Sequence, residues 1–272
     1  MPRTRPPLRR FFAPPDRIQS GWATLEGSEA HHLRVTLRIK SGTEILILDG
    51  EGGAYEGLVE ETGKDRIRVR LIGRRRVDTE SQLDLGLALA MIRNEKMKWI
   101  LQKATELGVS EIKPFYTPRS VVLSGKDGSH WLERSQRILI EALKQCGRVR
   151  LPRLSPPVDF NTFLSEVSAT HHGILLWEKP CTPFKEVLEA VSPESRIMLV
   201  VGPEGGFDTE EVAAAARMGF ATAHLGSRVL RAETAALSAM AIVQYRFGDL
   251  GNPLRGPGSA SSNLRRDHYE VS

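Results

Sequence analysis

The chain has 272 residues, 40% of them hydrophobic and 26% charged, with 38 Lys/Arg against 33 Asp/Glu. That balance belongs to an ordinary folded protein and excludes a low-complexity chain, and the length accommodates two domains. Cys146 and Cys181 form neither a disulfide framework nor a metal-binding spacing, and the longest apolar run, Leu85–Ile92, falls far short of the roughly 20 residues needed to span a bilayer.

The surplus of positive charge is local. Residues 1–76 hold 15 Lys/Arg against 10 Asp/Glu, whereas 77–272 hold 23 of each, so a polyanionic partner is expected at the N-terminal part. Residues 1–17 are rich in Arg and Pro, with Phe11 and Phe12 as apolar anchors, and lack the apolar segment of a signal peptide. A cytoplasmic protein with no membrane contact is expected. Short β-like runs follow at 44–49, 54–61 and 66–72, broken by glycines at 50–53 and 63, the spacing of a small antiparallel sheet or barrel. In RIRVRLI, Ile67, Val69 and Leu71 share one face, and Arg66, Arg68 and Arg70 the other. A second basic segment, HHLRVTLRIK, carries His31, His32, Arg34 and Arg38. Its adjacent histidines have no nearby partner ligands, so no metal is expected.

After a polar linker at Arg74–Gln82 the pattern changes. Strands are predicted at 83–91, 110–117, 173–177, 196–202 and 222–225, interleaved with helices at 95–108, 130–147, 183–191, 208–219 and 234–247. Asp208 and Glu211 form a capping-box variant at the start of the fourth of these helices. The first carries Met97, Ile100, Leu101, Ala104 and Leu107 on its apolar face, with Trp99 expected in the core and Lys96, Lys98 and Lys103 on a solvated face. The last is apolar all round, from Ala235 to Phe247, and so must be buried on every side. This alternation predicts an α/β fold with a parallel sheet covered on both faces; the stretch 251–272 reads as a disordered tail.

Ligands of parallel sheets sit beyond the carboxyl ends of the strands. Three such ends stand out: Leu176-Trp177-Glu178, Gly202-Pro203-Glu204-Gly205-Gly206, and Leu225-Gly226-Ser227-Arg228. Their glycines allow close approach to backbone groups, and Arg228, Arg231 and Glu233 cluster among them. Neither a Walker A nor a G-x-G-x-x-G pattern is present.

The motifs GPEGGF (202–207) and LGSRVLRAETA (225–235) resemble those of the RsmE family of the SPOUT superfamily, the 16S rRNA uridine-N3 methyltransferases. KMKWILQKATELGVSEIKPFYTPRSV (96–121), EALKQCGR (141–148), and RRFF with HHLRVTLRIKSG match further blocks, so the resemblance spans roughly residues 8–250. It implies a PUA-like RNA-binding β-barrel at 1–76 and a trefoil-knotted SPOUT α/β domain at 77–250, paired as a homodimer through knot-region helices. It further implies S-adenosylmethionine (SAM) held by Leu176, Gly202, Pro203, Glu204, Gly205, Leu225, Gly226, Ser227, Leu230 and Thr234. The implied substrate is 16S rRNA, free or in the assembled small subunit. N3 methylation needs a cation for the charge left on the base and a proton acceptor. Arg231 and Arg228 are the candidate cations and Glu204 the candidate acceptor, with Glu141 and Glu233 as substitutes; Glu233 equally suits a helix N-terminus. Arg9, Arg10, Arg34, Arg66, Arg68, Arg70, Arg119 and Arg148 are candidate RNA contacts, with Arg150 and Arg153. Ribose 2′-O-methylation and RNA binding without catalysis stand as alternatives.

Overall fold

The computed structural model describes residues 8–253, except 64, 122–126 and 193, and the side chains of 127–129. In chain order the elements begin with β1 (Arg10–Phe12), β2 (Ile18–Gln19), β3 (Trp22–Glu26), α1 (Gly27–His31), a π-helical turn (His32–Thr36), β4 (Glu44–Leu48), β5 (Ala54–Thr62) and β6 (Arg66–Arg74). There follow β7 (Leu85–Ala90), α2 (Asn94–Glu106), β8 (Glu111–Tyr116), α3 (Asp127–Cys146), β9 (Arg153–Leu154), β10 (Val158–Asp159) and α4 (Phe160–Ser168). The last are β11 (His172–Leu176), β12 (Thr182–Pro183), α5 (Phe184–Glu189), β13 (Ile197–Val201), α6 (Thr209–Arg217), β14 (Ala221–His224) and α7 (Ala232–Phe247).

The first six strands curl into one sheet in the order β1-β4-β5-β6-β3-β2, antiparallel except that β1 runs parallel to β4. Its concave face closes over Phe11, Leu25, Leu33, Ile45, Ile47, Ile67 and Val69, all essentially buried. The period-2 pattern of β6 is thus honoured: its Ile and Val point inward and its arginines outward.

The second sheet is parallel, ordered β10-β8-β7-β13-β11-β14-β12, with β9 on β8. Its central strands, LGLALA and IMLVV, are buried at every position, as continuous apolar runs are when helices cover both faces. One face packs α2, α5 and α7; the other carries the phenylalanine stack Phe115, Phe160, Phe163 and Phe207. β13 lies between β7 and β11, β14 lies outside β11, and α7 then returns to pack on α2 and β13. This crossed-over return is what the resemblance to SPOUT proteins leads one to expect. The capping box of α6 forms as expected, Glu211 N–H donating to Asp208 and Asp208 N–H to Glu211.

One expectation is corrected: Trp99 is 40% exposed, outside the apolar stripe of α2. Within one chain α7 buries Ala236, Ala239, Met240, Val243 and Gln244 fully and leaves Ile242 44% and Tyr245 75% exposed. Gln244 donates to Leu107 O (2.8 Å) and accepts from Ser81 Oγ, so the buried amide is satisfied.

The sheets are joined by polar contacts over a small apolar seam of Leu46, Leu48, Leu143 and Val149. Arg10 donates to the last carbonyls of α3, Lys144 O (3.0 Å) and Gln145 O (3.1 Å), a favourable end for a cation. Buried Lys144 pairs with Glu29 of α1. Arg148, expected to contact RNA, is instead almost wholly buried. Its guanidinium donates to Glu80 Oε2, Thr105 O and Val109 O, while Glu80 also accepts from the backbone of Val149 and Arg150. Truncating one member of a buried pair leaves the other charged and unpartnered. Arg148→Ala is therefore expected to lower stability by about 3–5 kcal/mol, read as a shifted urea midpoint.

Candidate active site

The carboxyl ends of β11, β13 and β14 open onto one pocket of about 260 Å³. Three loops and the start of α7 line it: Leu176–Glu178, Gly202–Phe207, and Leu225 with Gly226 and Arg228–Ala232. Eight of the ten expected cofactor residues stand in this lining, namely Leu176, Gly202, Pro203, Glu204, Gly205, Leu225, Gly226 and Leu230; Ser227 and Thr234 lie outside it.

The glycines answer two demands, close packing within the loops and a backbone conformation that side chains avoid. At Gly206 (φ +68°) a Cβ would stand 2.8 Å from the Glu178 carboxylate, and at Gly226 the backbone sits at φ +121°, a region L side chains rarely adopt. The loop is held from outside, since Arg119 donates to Gly205 O (2.9 Å) and Trp177 Nε1 to Phe207 O. Arg119, expected on RNA, thus spends one N–H on the loop while remaining exposed.

Arg228 and Arg231 both reach the lining and are exposed; Arg231 is the residue that precedes the first turn of α7. Glu204 does not stand alone. Lys96 Nζ, in the first turn of α2, lies 2.6 Å from its Oε1 and 3.7 Å from Glu233 Oε2, linking the Gly202–Phe207 loop to the first turn of α7. The hydrogen bond from Lys96 holds the Glu204 carboxyl below the usual carboxylate range, against a small opposing effect of burial, with the charges of Lys96, Arg93 and Arg231 adding to it. Glu204 is therefore ionised at neutral pH. Glu141 lies on α3, paired with Lys144, and is not part of this pocket.

Lys96, read from sequence as solvated, was missed; its position just past the end of β7, in the opening turn of a helix, is the signal that placed it here. Glu178 was noted only as part of a strand end. Lys96→Met should let the Glu204 carboxyl titrate at a higher pH, read by NMR titration of that side chain; Lys96→Arg should restore the lowered value.

Of the other expected RNA contacts, Arg9, Arg34 and Arg66 are exposed. Arg70 is bound to Glu60, and Arg68 pairs with Glu61 at 3.5 Å while lying over the Trp22 ring. Among the described residues no cluster has the make-up of a metal site, and no helix is long and apolar enough to cross a membrane.

The RNA methyltransferase domain family matches residues 79–244, and an RNA methyltransferase PUA domain matches 25–72. Ribosomal RNA small subunit methyltransferase E of Synechocystis is 30% identical over 85% of this chain and 76% of its own length. The Bacillus subtilis protein of the same name is 28% identical over 82% of this chain and 90% of its own. Among solved structures, the Neisseria gonorrhoeae ribosomal RNA small subunit methyltransferase E bound to S-adenosyl methionine superposes with a TM-score of 0.82 at 29% identity, covering 89% of this chain and 99% of that one. A Legionella pneumophila methyltransferase with bound SAM gives 0.82 at 31% identity, covering 89% and 99%.

Proposed function

Because the chain belongs to the RNA methyltransferase family, we propose that it transfers the methyl group of SAM to N3 of one uridine in the 16S rRNA of the small ribosomal subunit, in the cytoplasm. The observation that carries this reading is the gathering of Arg228, Arg231, Glu204 and Lys96 around a glycine-lined pocket at the strand ends. The relatives' name supplies the small-subunit rRNA.

SAM suits this pocket. An added Cβ at Gly226 would meet nothing within 4 Å, so the backbone there is open to a ligand such as the nucleoside of SAM. When bound, it supplies a methyl group already activated on a sulfonium, so the protein need provide neither metal nor covalent nucleophile. What remains is to make uridine N3 nucleophilic. Loss of its proton spreads negative charge over O2 and O4, and Arg231, with Arg228, offers the guanidinium that stabilises it. Arginine remains protonated and cannot itself take the proton. Glu204 is the ionised acceptor at hand, and Lys96 fixes its position.

The functional unit is a homodimer. Exposed Ile242 and Tyr245 of α7 border an apolar groove of about 600 Å³ with Pro183, Phe184, Leu188 and Leu225, a surface suited to a second copy. The groove shares Leu225 and Gly226 with the pocket, so a partner seated there buttresses the cofactor loop. The function is tested in a bacterial strain deleted for its own uridine-N3 methyltransferase: expressing this chain should restore 3-methyluridine to small-subunit rRNA, and rRNA that remains unmodified would refute it.

A further inference from the structure

We propose that the surface of residues 31–40, and not the arginine stripe of β6, grips the phosphate backbone of the rRNA. This rests on the function above and deepens it by naming the contact face.

The β6 stripe is largely neutralised within its own sheet. Arg70 is held by Glu60 and Arg68 by Glu61, while Arg66 stands at the strand's end opposite Glu26, whose carboxylate pairs with Arg17 (3.0 Å). Arg68 also lies over Trp22, covering the ring that would otherwise offer a stacking platform. A guanidinium already paired with a carboxylate gives up that partner to bind a phosphate, and the gain is small.

The segment after α1 has the opposite character. Between Glu29 and Glu44 the chain contains no acidic residue, while Arg34, Arg38 and Lys40, with His31, are exposed. Among the described residues, these three cations make no ion pair. Glu29 is itself consumed by Lys144 and by the Phe12 N–H. The local backbone is unusual: a π-helical turn at His32–Thr36, then Arg38 at φ +49°. Both are uncommon conformations that recur at functional sites. Val35 is 48% exposed amid the cations. The segment begins at the junction of the two sheets, where Glu29 is bonded to α3. An RNA strand held there is held at a fixed place relative to the methyl-transfer pocket.

The test uses the full-length protein and an unmethylated small-subunit rRNA transcript, with binding measured from low to high salt. The variant R34Q/R38N/K40Q, in which Asn is chosen to tolerate the positive φ, should bind at least tenfold more weakly at moderate salt. Its slope of log affinity against log salt should fall by about two, as for three lost phosphate contacts. R66Q/R68Q/R70Q should bind within twofold of wild type, and the charge-preserving R34K/K40R should keep full affinity. SAM affinity, measured by calorimetry, should be unchanged in all, which shows that the fold and pocket persist. Wild-type affinity for R34Q/R38N/K40Q, or an equal loss in the β6 variant, overturns the assignment. A wild-type chain that binds SAM but no rRNA overturns the RNA reading itself.

Discussion

Arg231→Ala should leave SAM affinity nearly intact while lowering the methylation rate at least tenfold. The reasoning separates two kinds of contact. The cofactor-facing surface is mostly backbone and small or apolar residues from three loops, so one exposed side chain contributes little to holding it. The guanidinium matters only when charge develops on the base, and an interaction made only then lowers kcat and kcat/KM together. A tenfold loss corresponds to about 1.4 kcal/mol of transition-state stabilisation, and loss of one preorganised donor elsewhere commonly exceeds that. Arg231 also precedes α7 without a side-chain cap bond, so its truncation should not unseat the helix. Normal turnover in this variant would remove Arg231 from the chemistry; lost SAM affinity would make it a binding residue.

Gly226→Val should abolish SAM binding. The residue sits at φ +121°, with nothing within 4 Å of an added Cβ, so the constraint is the backbone, not a neighbouring clash. A β-branched residue avoids that region, and holding it there costs on the order of 1–3 kcal/mol. The loop would instead shift, carrying Leu225 and Arg228 out of the pocket lining. Calorimetry should show no heat of SAM binding from a protein whose thermal unfolding remains cooperative; wild-type affinity would mean the loop is only a turn.

Much of the architecture was legible because apolar periodicity and local chemistry agreed. Continuous apolar runs gave β7 and β13, the Asp208–Glu211 pair marked the start of α6, and the glycine loops fell together where parallel strands end. What was not legible depends on pairing across the chain. Arg148 reads as one more surface cation until Glu80, 68 residues earlier, is seen to enclose it. Lys96 reads as a solvated lysine until the knot brings Glu204 and Glu233 to it. The arginines of β6 look free in sequence, and only the strand register shows Glu60 and Glu61 beside them. The parallel pairing of β1 with β4, made by a three-residue strand, left no periodic trace.

Which atom of the nucleotide receives the methyl group is read out by nucleoside mass spectrometry. Small ribosomal subunits or rRNA lacking the modification are incubated with the protein and SAM, digested to nucleosides and analysed. One new 3-methyluridine per rRNA is expected, absent from the reaction without protein. A methyl group on ribose, or none transferred by a protein that binds both SAM and RNA, would contradict it.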